Sequence, residues 1–303
     1  MTSGTIFSME SHPIYMQPNL LVDYLKHQKN CYLFLDIDGT LSDFTLNPKD
    51  SIVPYSTLSI LRKLQKHGIV VAIVTGRSLV EARSLLAPIE LPIAATHGLE
   101  IALNSSFSKF EDEDLNEVNT LFIDTLELDK IKQDILRSCA LYDDFFVESK
   151  PYSVALHFRK NPILADEAYR LMKEVLKPYP DWVLKPGKYV WEAVPKGVNK
   201  GTAILYLLGK IMNKASNDTC AIFIGDDITD EAGFRAIQDS KKIVEGLEQP
   251  PKGLGIKVGR ESTCAHYYVN DIKEVTNLLR NLLSFCQTRD RSPSGVMKVN
   301  SHY

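Results

Sequence analysis

Two aspartates one residue apart, Asp36-Ile-Asp38-Gly-Thr40, follow the apolar run 31–35 without a break. An aspartate so placed can attack phosphorus itself, replacing one difficult hydrolysis by formation and then hydrolysis of an aspartyl-phosphate. Asp36 is the candidate nucleophile. Asp38 can protonate a leaving alkoxide and then take a proton from water, a general acid/base role that requires hydrogen-bond reach to the bridging oxygen. Carboxylate and phosphate repel, so such a centre calls for a hard divalent ion with oxygen ligands. Asp226, Asp227 and Asp230, in Ile-Gly-Asp-Asp-Ile-Thr-Asp-Glu231 behind another apolar run, supply further carboxylates. Lys200, in Asn199-Lys-Gly-Thr at an expected helix start, offers a compact cation and helix-terminal amides to phosphoryl oxygens. Thr75, after the run 69–74, offers a hydroxyl and an amide to the same oxygens.

Each residue also has an ordinary reading. Asp-x-Asp-Gly occurs in turns and calcium loops, a lone lysine at a helix start is usually solvated, and acidic residues favour helix N-termini. Asp227 and Asp230 fit a cap as well as a metal site, and Glu231 reads as structural. What separates the catalytic reading is that four segments share one context, the end of an apolar strand or the start of a helix.

The elements that must position them follow from periodicity. A helix is expected over 19–29, a strand over 31–35, a helix carrying Leu58, Leu61 and Leu64 that breaks at His67-Gly68, a strand over 69–74, a helix over 78–86 and a strand over 92–95. This alternation argues for a parallel sheet with helices on both faces, where ligands gather beyond the carboxyl ends of the strands. From about residue 103 the pattern changes. Residues 104–114 are mostly polar, helical periodicity covers 118–136, and alternation over 153–159 puts Ala155, His157 and Arg159 on one sheet face. Lys185-Pro-Gly-Lys188 reads as a hairpin turn. From Gly201 the α/β pattern resumes, and the glycine-rich stretch 253–259, which lacks dinucleotide-binding spacing, reads as a turn entering a late strand. The expected fold is α/β: a Rossmann-like parallel-sheet hydrolase core of residues 1–103 and 196–288, an inserted α+β cap at 104–195, and a mobile tail at 289–303.

Composition sets outer bounds. With 44% hydrophobic and 24% charged residues and a net charge of −3, the chain has the make-up of a globular enzyme and no general attraction to nucleic acid or anionic membranes. Its 5 cysteines are odd in number and lack C-x-x-C spacing, so they read as reduced thiols. The first 18 residues do not read as a secretory signal, and a cytoplasmic location is expected.

Taken in order, Asp36-x-Asp38-Gly-Thr, Thr75, Lys200 and Gly-Asp226-Asp227-x-Thr-Asp230 resemble the four motifs of haloacid-dehalogenase-type phosphatases. Over about residues 30–285 the chain further resembles the bacterial trehalose-6-phosphate phosphatase family, through Thr75-Gly-Arg77-Ser, His97-Gly98, Glu148-x-Lys150, Gly187-Lys188-x-Val-x-Glu192 and the aspartate-rich segment ending at Glu231. The resemblance implies hydrolysis of trehalose 6-phosphate to trehalose and phosphate through an aspartyl-phosphate, the last step of trehalose synthesis. It implies Mg2+ held by Asp36, the backbone carbonyl of Asp38 and Asp226, with Asp227 and Asp230 in support. Sugar contacts are implied at Arg77 in the core and at Glu148, Lys150, Arg159, Lys188 and Glu192 in the cap. Because phosphate contacts are generic, the cap is expected to select the sugar and to open and close by a hinge. The expected partner is a small-molecule sugar phosphate, met by a monomer working beside trehalose-6-phosphate synthase. A phosphatase for sucrose or mannosylglycerate phosphates, or a non-catalytic sugar-phosphate sensor, is the alternative.

Overall fold

The computed structural model describes residues 12–43, 45, 50–103, 125–187, 189–212, 218–239 and 252–290. The chain divides into two units, Met1–Asn119 with Asn199–Tyr303, and Thr120–Val198. The first opens with β1 (Ile14–Tyr15), α1 (Pro18–Leu25), β2 (Asn30–Leu35), α2 (Tyr55–Lys66), β3 (Ile69–Val74), α3 (Leu79–Leu86), β4 (Ile93–Ala95) and β5 (Glu100–Ala102). The second unit holds α4 (Thr125–Ser138), β6 (Phe146–Ser149), β7 (Val154–His157), α5 (Ala165–Leu176), β8 (Trp182–Gly187) and β9 (Val190–Pro195). The chain then returns to the first unit with α6 (Lys200–Ile211), β10 (Thr219–Gly225), α7 (Glu231–Gln238), β11 (Lys252–Val258), β12 (Tyr267–Val269) and α8 (Ile272–Asp290).

In the first unit eight strands lie in the order β1-β12-β11-β10-β2-β3-β4-β5. Every pair is parallel except β4 with β5. The central strands read as unbroken apolar runs because helices cover both sheet faces. Leu33, Leu35, Val71, Ile73, Ile222 and Ile224 join one core with residues of α1, α2, α3 and α8. Tyr32, Phe34, Ala72, Val74, Ala221 and Phe223 join the other with Ile204, Leu207 and Leu208 of α6 and Phe234 of α7. The chain leaves β2 for β3 on one side and later reaches β10 on the other. β2 is thus the strand where the order reverses, the position at which open α/β sheets bind ligands.

Two sequence expectations are corrected in this unit. The stretch 253–259 is no turn: residues 252–258 form β11, paired along six residues with β10. Its glycines serve close packing, since a Cβ at Gly253 would strike the Ile237 carbonyl and one at Gly255 the Gln238 side chain. The tail expected from Arg289 starts too early, because α8 runs through Asp290. Arg289 donates to the Gln28 carbonyl at 2.8 Å, and His67 Nδ1 lies 2.5 Å from an Asp290 carboxylate oxygen, which ties the helix end down. The rest of that tail, 291–303, lies outside the described residues.

The second unit is an antiparallel sheet, β6-β7-β9-β8, with α4 and α5 on one face. Val154, Leu156, Trp182 and Ala193 pack there with Ile131, Ile135 and Met172. The opposite face carries a row set by register, in which Ala155 pairs with Glu148 and with Glu192, and Glu192 pairs with Lys185. The hairpin turn is later than its Pro-Gly signal suggests. Pro186 and Gly187 belong to β8, pairing with Trp191 and Val190. A proline fits because β8 is the sheet's edge strand, where a missing N–H breaks no ladder. No helix among the described residues is long and apolar enough to cross a membrane.

Candidate active site

The centre forms at the carboxyl ends of β2, β3 and β10, from residues the sheet itself aligns. Asp36 is the first residue beyond β2, and its backbone N–H extends the ladder to the Ile224 carbonyl at 3.0 Å. It is buried, with one carboxylate oxygen 2.9 Å from Lys200 Nζ. Burial pushes its carboxyl well above the ordinary value; Lys200 pulls it down, and Asp230, Asp227 and Asp226 push it further up.

Lys200 opens α6, whose start is fixed by the Asn199 side chain accepting from the Thr202 N–H. Its ammonium is buried between Asp36 and Asp230, 2.7 Å from the latter. Burial opposes the charge, but Asp230, Asp36 and Asp227 overcome it and hold the lysine above its usual range. Asp230 uses both oxygens: Oδ1 accepts from Lys200, and Oδ2 accepts from the amides of Asp226 at 2.8 Å and Asp227 at 2.9 Å. Asp230 thus both caps the turn that leads into α7 and pairs with Lys200. Asp227 accepts from the amide and hydroxyl of Thr229, at 2.8 and 2.6 Å. Glu231 accepts from Thr263 and from the Cys264 amide, away from the cluster, in keeping with a structural role.

Asp38 lies in the loop after β2, where the amides of Leu41 and Ser42 bond the Ile37 carbonyl. Gly39 turns this loop at φ +75°, and a Cβ there would collide with the Asp226 carboxylate. Arg77, an expected sugar contact, lies against Asp38: Nε and Nη2 donate to its two oxygens, each at 2.6 Å. Ser51 also donates to Asp38, at 3.2 Å. Thr75 is buried at the end of β3. Its amide is engaged by the Ala94 carbonyl at 2.9 Å, so it cannot serve phosphate, and its hydroxyl accepts from the Arg77 N–H at 3.2 Å.

Asp36, Asp226 and Asp230 place carboxylate oxygens within 4.8 Å of one another, a group that could hold a metal ion. Hard oxygen donors of this kind suit a small divalent cation. Asp230 already accepts from Lys200 and two amides, and Asp36 meets the same ammonium. Burial, with Asp230 and Asp227 close by, pushes the Asp226 carboxyl up to about 7. One neighbour escaped the sequence reading. Lys257, buried in β11, donates its ammonium to the backbone carbonyl of Asp226. A lone lysine inside Leu254-Gly-Ile-Lys-Val258 was the available signal.

On the open face of the second unit, Glu148 pairs with His157 at 2.8 Å. Lys150 lies 3.0 Å from Glu192, which also accepts from Ser153. Arg159 is exposed beyond the end of β7, and Lys188 lies outside the described residues.

The Trehalose-phosphatase family model matches residues 34–273. A protein of Sinorhizobium fredii named "Probable trehalose-phosphate phosphatase" is 36% identical over 69% of this chain and 74% of its own. The trehalose-6-phosphate phosphatase of Escherichia coli is 28% identical over 84% of this chain and 88% of its own. The solved C-terminal domain of the C. albicans trehalose-6-phosphate phosphatase aligns with a TM-score of 0.70 at 21% identity, over 91% of this chain and 99% of that one, which supports the fold. The matched span begins two residues before Asp36 and contains every core residue of the cluster, and with it the chain belongs to the trehalose-phosphatase family.

Proposed function

We propose that this chain hydrolyses trehalose 6-phosphate to trehalose and inorganic phosphate. Family membership and the names of the relatives support the substrate. The observation that carries the chemistry is the buried Lys200 ammonium bridging Asp36 and Asp230 beside a second carboxylate, Asp38, that Arg77 orients.

Asp36 attacks phosphorus, the new oxygen–phosphorus bond forming as the bond to the sugar oxygen breaks. Asp38 delivers a proton to that oxygen, then removes one from the water that cleaves the aspartyl-phosphate. Lys200 holds the charge on the phosphoryl oxygens, helped by the Thr75 hydroxyl. Asp36, the Asp38 carbonyl and Asp226 would hold Mg2+, steadied by Asp227 and Asp230. Bound there, the ion supplies the positive charge that lets a carboxylate approach a phosphate. The polar face bearing Glu148, Lys150 and Glu192, with Arg159 and Lys188, is assigned to the sugar hydroxyls.

Phosphate release from trehalose, glucose and sucrose 6-phosphates, with Mg2+ or EDTA, tests this in wild type and Asp36→Asn. Turnover of trehalose 6-phosphate alone, abolished by EDTA and by the substitution, is expected. Preference for another sugar phosphate would overturn the substrate, and inactivity of the folded protein would overturn the reaction.

A further inference from the structure

Glu100 is a buried carboxylate that this chemistry does not use, and among the described residues it has no ion pair. At the start of β5, one oxygen accepts from the Thr96 hydroxyl at 2.6 Å and from the Leu79 amide at 3.1 Å. Both donors belong to segments that frame Arg77. Leu79 begins α3 two residues after it, and the Thr96 amide donates to the Arg77 carbonyl at 2.7 Å. The next amide, of His97, donates to the Thr75 carbonyl at 2.9 Å. Thr96 and His97 take φ of +46° and +57°, a left-handed conformation that is an outlier for a β-branched threonine and persists only where surrounding contacts enforce it. Glu100 is such a contact.

Resting on the proposed role of Asp38, we infer that Glu100 is a positioning residue for proton transfer: it fixes the Thr96 turn and the start of α3, and so the guanidinium that aims Asp38 at the leaving oxygen. A buried carboxyl that ties together the two segments on either side of Arg77 sets geometry, and displacement by about 1 Å can cost about a hundredfold in rate.

The test compares kcat/KM for trehalose 6-phosphate and p-nitrophenyl phosphate, whose leaving group needs no proton. Asp38→Asn calibrates it: this variant should lose far more on the sugar phosphate. Glu100→Ala should lose about tenfold or more on the sugar phosphate and under about threefold on the aryl ester. Glu100→Gln, whose amide oxygen can still accept both bonds, should recover most of the difference. Thr96→Val, which removes one hydroxyl, should show the same bias if Glu100→Ala does not fold. In an Arg77→Ala background the Glu100→Ala effect should vanish. Equal losses on both substrates, or an undiminished effect without Arg77, would overturn the inference while leaving Asp38 in place. Absence of leaving-group bias in Asp38→Asn would overturn the acid role and this inference with it.

Discussion

Arg77 holds Asp38 by two parallel hydrogen bonds of 2.6 Å, from Nε to Oδ2 and from Nη2 to Oδ1. A planar fork matched to a carboxylate fixes direction as well as charge, which an ammonium cannot do. Arg77→Lys should therefore fold normally yet lose about tenfold or more in kcat on trehalose 6-phosphate, and Arg77→Ala about a hundredfold. Steady-state kinetics check this. Arg77→Lys at wild-type kcat would remove orientation of Asp38 from the mechanism.

Lys200 governs stability as well as catalysis. Its side chain is 2% exposed and that of Asp230 is 0%, so Lys200→Met leaves two buried carboxylates facing each other without a cation. Breaking one side of such a pair costs about 3–5 kcal/mol. The carboxyls can escape by protonating, so the loss should be larger at pH 8 than at pH 5.5. Urea unfolding of the metal-free protein at both values measures it, and equal losses would show that the carboxylates do not carry the effect.

These two pairs mark how far the sequence could be read. Strand ends were legible because β2, β3 and β10 are buried on both faces, so their apolar runs stop where Asp36, Thr75 and Asp226 begin. Lys200 was legible only through the motifs on either side of it, since a lysine at a helix start is usually solvated. The Asp38–Arg77 pair was not, since 39 positions separate them and only the adjacency of β2 and β3 brings them together. Lys257 and Glu100 were hidden for the opposite reason: each is a charge set beside apolar neighbours in its strand, and such a charge usually points to solvent. Pro186-Gly187 and the glycines of β11 misled because turn signals are local, whereas an edge strand and a closely packed helix tolerate the same residues.

The Asp226 carboxyl, pushed up to about 7 by burial and then by Asp230 and Asp227, predicts opposite pH trends with and without metal. Without metal, a carboxyl titrating at about 7 folded and about 3.9 unfolded holds more protons when folded. That contribution to stability is complete below about pH 3.9 and is lost as pH rises through about 7. Mg2+ binds the ionised form, so its affinity should rise over the same interval. Thermal unfolding from pH 5 to 8, with EDTA or Mg2+, should show a stabilisation by Mg2+ that grows with pH. Asp226→Asn should flatten both trends, and a Mg2+ effect independent of pH would contradict the assignment.

Glu192 tests the proposed sugar face. It is buried on the open sheet face, held by Lys150 and Ser153. Glu192→Gln keeps the shape and removes the charge that orders Lys150, so KM for trehalose 6-phosphate should rise about tenfold while p-nitrophenyl phosphate turnover changes under about twofold. Matched losses on both substrates would place Glu192 in the phosphoryl chemistry instead.

Gly39 gives the most local test of the metal reading. Its φ of +75° disfavours any side chain, and the space a Cβ would fill is taken by the Asp226 carboxylate. Gly39→Ala must therefore shift either the loop that carries Asp38 or the carboxylate assigned to Mg2+. Asp226 is the freer of the two, because Arg77 and Ser51 anchor Asp38. The variant should bind Mg2+ at least about tenfold more weakly by calorimetry and need correspondingly more of it for turnover, with activity partly recovered at saturation. Wild-type Mg2+ affinity with turnover lost would place the damage at Asp38 and separate the acid/base residue from the metal site.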